Sequence, residues 1–444
     1  MHKKRKLFLS LTLTLFMMLT LFSQMGLQVQ GRYTHDTSVA AITKLLKVGH
    51  GTSVPDADFK FTVTSVSVDG DTDAKAPLAD VGGPGVNGDI SISFPAEGIP
   101  PLYTQKTTSN NIDYYYLESA ELFGHVDWLN AGIYEYRIVE NGSSYNAGAG
   151  ETLTNSKAEY TVTVYVDYVS PRRLGITNIV VLMTRNDAGD TVGDLTKLDP
   201  TPGGDEVTYH TSQMIFTNEF WRTIGPTNPA DGGHTLAVIK TVTGNYAATS
   251  IYSRYDMTIT TPDLIGIDKE FKAFVIEENP SSGNWNIVTT ADNYAGAIEG
   301  DGAIIFTPGA SFTFHLRHNQ RLVFEDLPVG TSYVIDQTGT SGYTPKVTVS
   351  YNASTNIQDL TTGTSGGNYS LPNSAIAANN LFVSEDGSSA AFANDRGNVA
   401  PTGFNLNNLP FYGLILLAVG GIIAFFVVKS RKKRDETTVY NPSI

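Results

Sequence analysis

An all-β fold is predicted for this 444-residue chain, arranged as two tandem domains between an apolar leader and an apolar C-terminal segment. Three observations predict it. Short runs rich in Val, Ile, Thr, Tyr and Phe alternate with clusters of Gly, Asn, Asp and Pro, the pattern of strands joined by turns. No stretch between the two ends carries a sustained helical period. A break rich in Pro and Gly at 221–233 divides the chain, and each side is long enough to bury its own core. The domains are accordingly placed at 37–220 and 234–397.

The N-terminal element is a basic run, Lys3-Lys4-Arg5-Lys6, followed by an apolar stretch at 7–22. A basic start, a short apolar segment and then polar sequence read as a secretory signal peptide, assigned to 1–31 with cleavage between Ser23 and Arg32. The stretch is short for a membrane span. At the other end, Val399-Ala400-Pro401-Thr402-Gly403 precedes an uncharged apolar segment at 410–428, which is about long enough to cross a bilayer. A basic tail, 429–444, follows and begins Lys429-Ser430-Arg431-Lys432. Basic residues beside a span stay on the cytoplasmic side, which puts everything before Pro410 outside the cell.

A plain single-pass protein would satisfy the span and the tail. The Ala-Pro-Thr-Gly element ahead of them resembles the sorting signal of Gram-positive wall proteins, an LPXTG-like pentapeptide. That resemblance implies cleavage by a sortase between Thr402 and Gly403, with transfer of the Thr402 acyl group to an amine. Val399 and Ala400 depart from the usual Leu-Pro, which bears on which sortase reads the signal.

The chain has no cysteine, so disulfides, cysteine nucleophiles and cysteine-ligated zinc are all excluded. Charge is concentrated in the exported part. With the two ends set aside, 21 basic and 42 acidic residues remain, a net charge of −21. Such a surface repels nucleic acid and keeps an exported protein soluble.

The two domains share a weak repeat. Each opens on a strand holding a lysine, Ile42-Thr43-Lys44-Leu45-Leu46 and Val238-Ile239-Lys240-Thr241-Val242. Each closes on a Phe-x-Asn strand, at Asn218 and at Asn394. Each has a late strand, Tyr134 to Glu140 and Tyr333 to Gln337. Side chains alternate along a strand. Lys44, Glu140, Asn218, Lys240 and Asn394 therefore all share a face with apolar neighbours and point into the core. A buried charge is costly unless it is paired or neutralised. Two arrangements meet that cost. One is a Lys–Glu ion pair with an Asn partner. The other is covalent: a buried lysine of lowered pKa attacks the Asn amide, a buried glutamic acid carries the protons, and ammonia leaves. The product is an isopeptide crosslink between first and last strands.

These residues bring the family into view. Gly132-Ile133-Tyr134 through Glu140, Phe216-Thr217-Asn218, Val238-Ile239-Lys240 and Phe392-Ala393-Asn394 fall in the order found in the isopeptide domains of Gram-positive, streptococcal-type backbone pilins. The chain resembles that family over most of its exported length. The resemblance implies Ig-like β-sandwiches stacked in a covalent, wall-anchored fibre. It implies a triad of Lys44, Glu140 and Asn218 in the first domain, with Glu140 catalytic. In the second, Lys240 and Asn394 are present but Gln337 occupies the acid position. Gln can donate a hydrogen bond but carries no acidic proton, and formation of the second bond is left open. The implied partners are a pilus sortase, neighbouring pilin subunits, peptidoglycan and host surface ligands. The acceptor amine for polymerisation is assigned to Lys197, in the loop before Leu198-Asp199-Pro200. A non-polymerising wall-anchored adhesin would use the same domains.

Other patterns carry less. Gly363-Thr364-Ser365-Gly366-Gly367 has hydrolase spacing but lacks the strand-to-helix elbow. Asp69, Asp71, Asp73 and Asp80 have EF-hand offsets without the required Gly, with Ala74 in its place. The histidines form no metal pattern. No enzyme activity beyond self-crosslinking, no cofactor and no metal are expected.

Overall fold

The computed structural model describes residues 36–77, 89–94, 104–107, 111–193, 195–203, 211–225, 228–231, 235–268, 270–338, 343–351, 358–360, 369–371, 382–397 and 409–437. The leader 1–31 and the pentapeptide 399–403, with Thr402 and Gly403, lie outside the described residues.

Apart from a 3-10 turn at Pro229–Asp231, the regular elements of the described residues are all strands up to the last one. The N-terminal strands are β1 (Thr43–Gly49), β2 (Ala57–Val68), β3 (Asp89–Phe94), β4 (Thr104–Thr107), β5 (Ile112–Glu118), β6 (Gly132–Ser143), β7 (Glu151–Thr154), β8 (Glu159–Ser170), β9 (Arg173–Arg185), β10 (Lys197–Leu198) and β11 (Ile215–Ile224). The C-terminal ones are β12 (Leu236–Thr243), β13 (Ser253–Thr260), β14 (Phe271–Glu278), β15 (Trp285–Ile287), β16 (Ile304–Phe306), β17 (Ser311–Leu316), β18 (Gln320–Phe324), β19 (Leu327–Pro328), β20 (Ser332–Gln337), β21 (Thr344–Tyr351), β22 (Gln358–Leu360), β23 (Tyr369–Leu371) and β24 (Ser388–Asp395). A helix, α1 (Leu409–Thr437), follows, and its stretch Phe411–Arg431, of mean hydropathy 2.6, is long and apolar enough to span a membrane.

Each group of strands folds into a two-sheet sandwich. In the first, the sheet β11-β1-β5-β4 faces the sheet β10-β9-β8-β6-β2-β3. Phe59, Phe61, Tyr136, Tyr160, Phe216 and Phe220 fill the space between them, all fully buried. In the second, the sheet β15-β14-β18-β12-β24-β21-β22 faces β17-β13-β20-β23 around Tyr255, Phe314, Phe324, Tyr333 and Phe392. Burying each such side chain contributes about 1.5–3 kcal/mol, so these aromatics are the main stabilising mass of each core.

The alternation read in the sequence appears directly in β12 and β24. Leu236, Val238, Lys240 and Val242 are buried while the residues between them are partly open, and Ser388, Ala390, Phe392 and Asn394 repeat this. In β1 the alternation is hidden, because the strand is buried on both faces. In both sandwiches the first and last strands run side by side and parallel. β1 pairs β11 with Lys44 opposite Phe216 and Leu46 opposite Asn218. β12 pairs β24 with Lys240 opposite Phe392 and Val242 opposite Asn394. Parallel neighbours need a crossover, and here a whole sandwich serves as that crossover.

The junction is more continuous than the sequence break at 221–233 implies. β11 does not stop at Phe220 but runs on to Ile224, where Thr223 and Ile224 pair with Pro328 and Leu327 of β19. The extension holds because Trp221 is buried against Ile112 and Leu264, with its indole N–H donating 3.0 Å to the Ile265 carbonyl. Glu219 accepts the Ile265 N–H at 2.6 Å, and Arg222 pairs with Glu385 at 2.9 Å. Two glycines permit the approach of the two bodies. A Cβ on Gly49 would lie 2.6 Å from the Val329 carbonyl, and one on Gly330 (φ +87°) would lie 2.5 Å from the His50 nitrogen.

Candidate functional site: two buried lysine clusters

The first cluster is set by three strands from both sheets of the N-terminal sandwich. β1 delivers Lys44, β11 delivers Asn218 two residues beyond the partner of Lys44, and β6 on the facing sheet delivers Glu140. The Lys44 and Glu140 side chains are completely shielded from solvent. The Lys44 amine donates to Glu140 Oε2 at 2.8 Å, to the Phe216 carbonyl at 3.2 Å and to Asn218 Oδ1. It also lies 4.5 Å from the centre of the Phe59 ring. Asn218 Nδ2 donates back to Glu140 Oε1 at 2.7 Å. One carboxylate thus bridges an amine and an amide nitrogen, each on its own oxygen.

Burial is the largest influence on both titrating groups. It pulls Lys44 down to about 8, against the opposing charge of Glu140. It lifts Glu140 above the usual carboxylate range, against the pull of Lys44 and Asn218, and the charge of Asp187 adds to the rise. Both shifts favour moving the proton from amine to carboxylate. The arrangement then presents a neutral amine, an amide carbonyl and a carboxylic acid in mutual contact, which are the parts needed for aminolysis of an amide.

Three further residues complete the cluster. The Ser156 backbone N–H donates 2.8 Å to Asn218 Oδ1, placed to stabilise negative charge on that oxygen if the carbonyl is attacked. Asn155 Oδ1 accepts from Asn218 Nδ2 at 3.0 Å and fixes which way the amide faces. Asp187 anchors this corner, accepting from Ser156 Oγ at 2.5 Å and from the Thr217 N–H at 2.8 Å. Strand periodicity gave no sign of these residues, since Asn155, Ser156 and Asp187 sit in connections between strands.

The second cluster repeats the frame without the contacts. Lys240, Gln337 and Asn394 are buried and come from β12, β20 and β24. Gln337 Nε2 donates 3.2 Å to Asn394 Oδ1. The Lys240 amine, Gln337 Oε1 and the Tyr255 hydroxyl are buried with no hydrogen-bond partner among the described residues. Burial pulls Lys240 down to about 7. Asp336 lies on the other face of β20, opposite Asp256 of β13.

Lys197 stands apart from both clusters. It is exposed on β10, a two-residue strand at the sheet edge paired with β9. No group of three or more His, Cys, Asp or Glu side chains suited to a metal occurs among the described residues.

The fold and the first cluster together define a protein of tandem β-sandwiches with a buried Lys–Glu–Asn cluster in the first. Residues 40–220 match the Spy0128-like isopeptide containing domain. Residues 234–373 match a domain of unknown function, DUF7601. A search of curated proteins returned no match. Among solved structures, the chain is similar to the major pilin of Streptococcus pyogenes at 14% identity and a TM-score of 0.30, over 82% of this chain and 100% of that one. It is similar to the T3.2 major pilin of the same species at 16% identity and a TM-score of 0.28, over 82% and 99% of the two chains. A pilus-presented adhesin, Spy0125, aligns at 12% identity and a TM-score of 0.21, over 81% and 99%.

Proposed function

We propose that this chain is a structural subunit of a sortase-assembled, wall-anchored pilus, and that its N-terminal domain closes its own Lys44–Asn218 isopeptide bond. The observation that carries the crosslinking is the Glu140 carboxylate, which bridges Lys44 and Asn218 inside a sealed core. Glu140 takes a proton from the Lys44 ammonium. The neutral amine attacks Asn218 Cγ and a carbon–nitrogen bond forms, while the Ser156 N–H and the protonated Glu140 hold the developing charge. Glu140 then delivers a proton to the Asn218 amide nitrogen as its bond to carbon breaks. A second proton passes from the attacking nitrogen through the same carboxylate to the released ammonia, which departs as ammonium. Glu140 ends as it began.

The assembly half of the reading rests on the ends of the chain. A sortase would cut between Thr402 and Gly403, with α1 holding the subunit in the membrane until transfer. The acceptor is Lys197, whose place on an exposed edge strand suits it to meet an acyl-enzyme. Neighbouring subunits, and finally peptidoglycan, would receive the Thr402 acyl group.

Two measurements test this. The intact mass of the full-length chain should fall short by one ammonia, and Asn218→Ala should abolish that deficit. Wall extracts should give a detergent-resistant ladder of high-mass species, lost in Thr402→Ala and in Lys197→Ala. A single anchored band would instead identify a non-polymerising adhesin.

A further inference from the structure

The two clusters correspond position by position in strand register. Lys44 faces Phe216 across the parallel ladder as Lys240 faces Phe392. Glu140 lies opposite Phe61 as Gln337 lies opposite Tyr255. The Phe61 and Phe216 rings touch at 4.9 Å, and the Tyr255 and Phe392 rings at 5.2 Å. Of the five matched positions, two differ in chemistry: the acid has become an amide and a phenyl ring has gained a hydroxyl.

We propose that the second domain stays uncrosslinked, with Lys240 and Asn394 both unreacted, because Gln337 stands where a proton-carrying acid is required. The inference rests on the reading of the first domain as self-crosslinking. Joining Lys240 to Asn394 would form a bond between Lys240 Nζ and Asn394 Cγ and break the Asn394 Cγ–Nδ2 bond. From the neutral amine, one proton would have to travel to the departing nitrogen, which leaves as ammonia. A carboxyl group does this by cycling between its two forms, whereas the Gln337 amide neither takes up nor releases a proton under physiological conditions. Gln337 does point its N–H at Asn394 Oδ1, so the carbonyl is polarised. Burial already favours the neutral form of Lys240. Nucleophile and electrophile are buried in the same core on paired strands, and a proton carrier between them is missing.

Among the described residues no neighbouring group replaces it. Burial pushes the Tyr255 hydroxyl well above its ordinary range, so it keeps its proton. Asp336 faces away on the opposite side of β20.

The experiment is amine labelling of the denatured full-length chain, purified in detergent, followed by proteolysis and mass spectrometry. In the unaltered chain the Lys240 peptide should carry the label in full, while the Lys44 peptide should appear unlabelled and joined to the Asn218 peptide. In Gln337→Glu the Lys240 label should disappear, and a Lys240–Asn394 branched peptide should appear one ammonia lighter than its parts. A Lys240–Asn394 branch in the unaltered chain overturns the proposal. So does a folded Gln337→Glu chain that remains unjoined. If Gln337→Glu fails to fold, labelling of the unaltered chain still decides. A labelled, unjoined Lys44 would overturn the reading of the first domain, and the separate Lys44 and Lys240 peptides tell the two failures apart.

Discussion

The two sandwiches bury the same lysine in the same register and surround it differently. Lys44 reaches a carboxylate, a backbone carbonyl and a side-chain carbonyl, whereas Lys240 reaches none of them. Burial depresses both amines, to about 8 and about 7. Making the amine a nucleophile is therefore common to both cores, and the step that separates them is proton transport. The acid oxygen of Glu140 against the amide nitrogen of Gln337 is the difference that bears on proton transport.

The largest expected effect makes the first core resemble the second. Glu140→Gln should leave Lys44 and Asn218 unjoined and restore the missing ammonia in the intact mass. By analogy with disulfides, a crosslink between residues 174 apart is worth about 5 kcal/mol of chain entropy. Calorimetry of the full-length chain should show the thermal transition of the N-terminal domain falling accordingly. A smaller effect of opposite sign is expected from Lys240→Met. Replacing an unpartnered buried amine by an apolar chain of similar length should stabilise the second domain by roughly 1–3 kcal/mol. Destabilisation would mean that Lys240 has a partner in solution.

Next in size is a pH dependence confined to the second domain. Lys240 titrates at about 7 when folded and near 10.5 when unfolded. Between those values the unfolded chain binds the extra proton, so stability rises with pH, by at most about 1.4 kcal/mol per unit. The penalty is complete below about 7 and gone above 10.5. The midpoint of the second transition should climb from pH 7 to 9, and Lys240→Met should flatten the climb. The smallest effect is kinetic. Asp187→Ala loosens the corner that holds Ser156 and Thr217. It should slow closure of the Lys44–Asn218 bond a few-fold in a refolding time course without preventing it, in keeping with a positioning role.

Much of this was legible in the sequence, for a definable reason. A period of two tells which face a side chain occupies, and Lys44, Lys240, Asn218 and Asn394 each lie on an apolar face, so their burial could be read directly. Gln337 was legible as a departure because its strand repeats the pattern of the one ending at Glu140. Three things were not legible. The parallel pairing of first and last strands depends on contacts far apart in the chain. Asn155, Ser156 and Asp187 act from connections, where no period constrains direction. The run of β11 to Ile224 is decided by a pocket for Trp221 lined by Ile112 and Leu264, which local sequence does not encode.

The parallel pairing of β1 with β11, and of β12 with β24, has a mechanical consequence. Parallel neighbours begin at one pole of a sandwich and end at the other. Tension between the first sandwich and Thr402 would therefore enter the second by β12 and leave by β24, loading that ladder in shear. In the first sandwich the pull would arrive at Lys197, and a Lys44–Asn218 bridge would hold β11, by which it leaves, to β1. Where Lys240 and Asn394 are unjoined, the ladder of hydrogen bonds between β12 and β24 carries the load, and when it yields about 150 residues pay out, roughly 500 Å of chain. Such a subunit would be a stiff link in series with an extensible one, and a fibre built from it would absorb a sudden pull by lengthening rather than breaking.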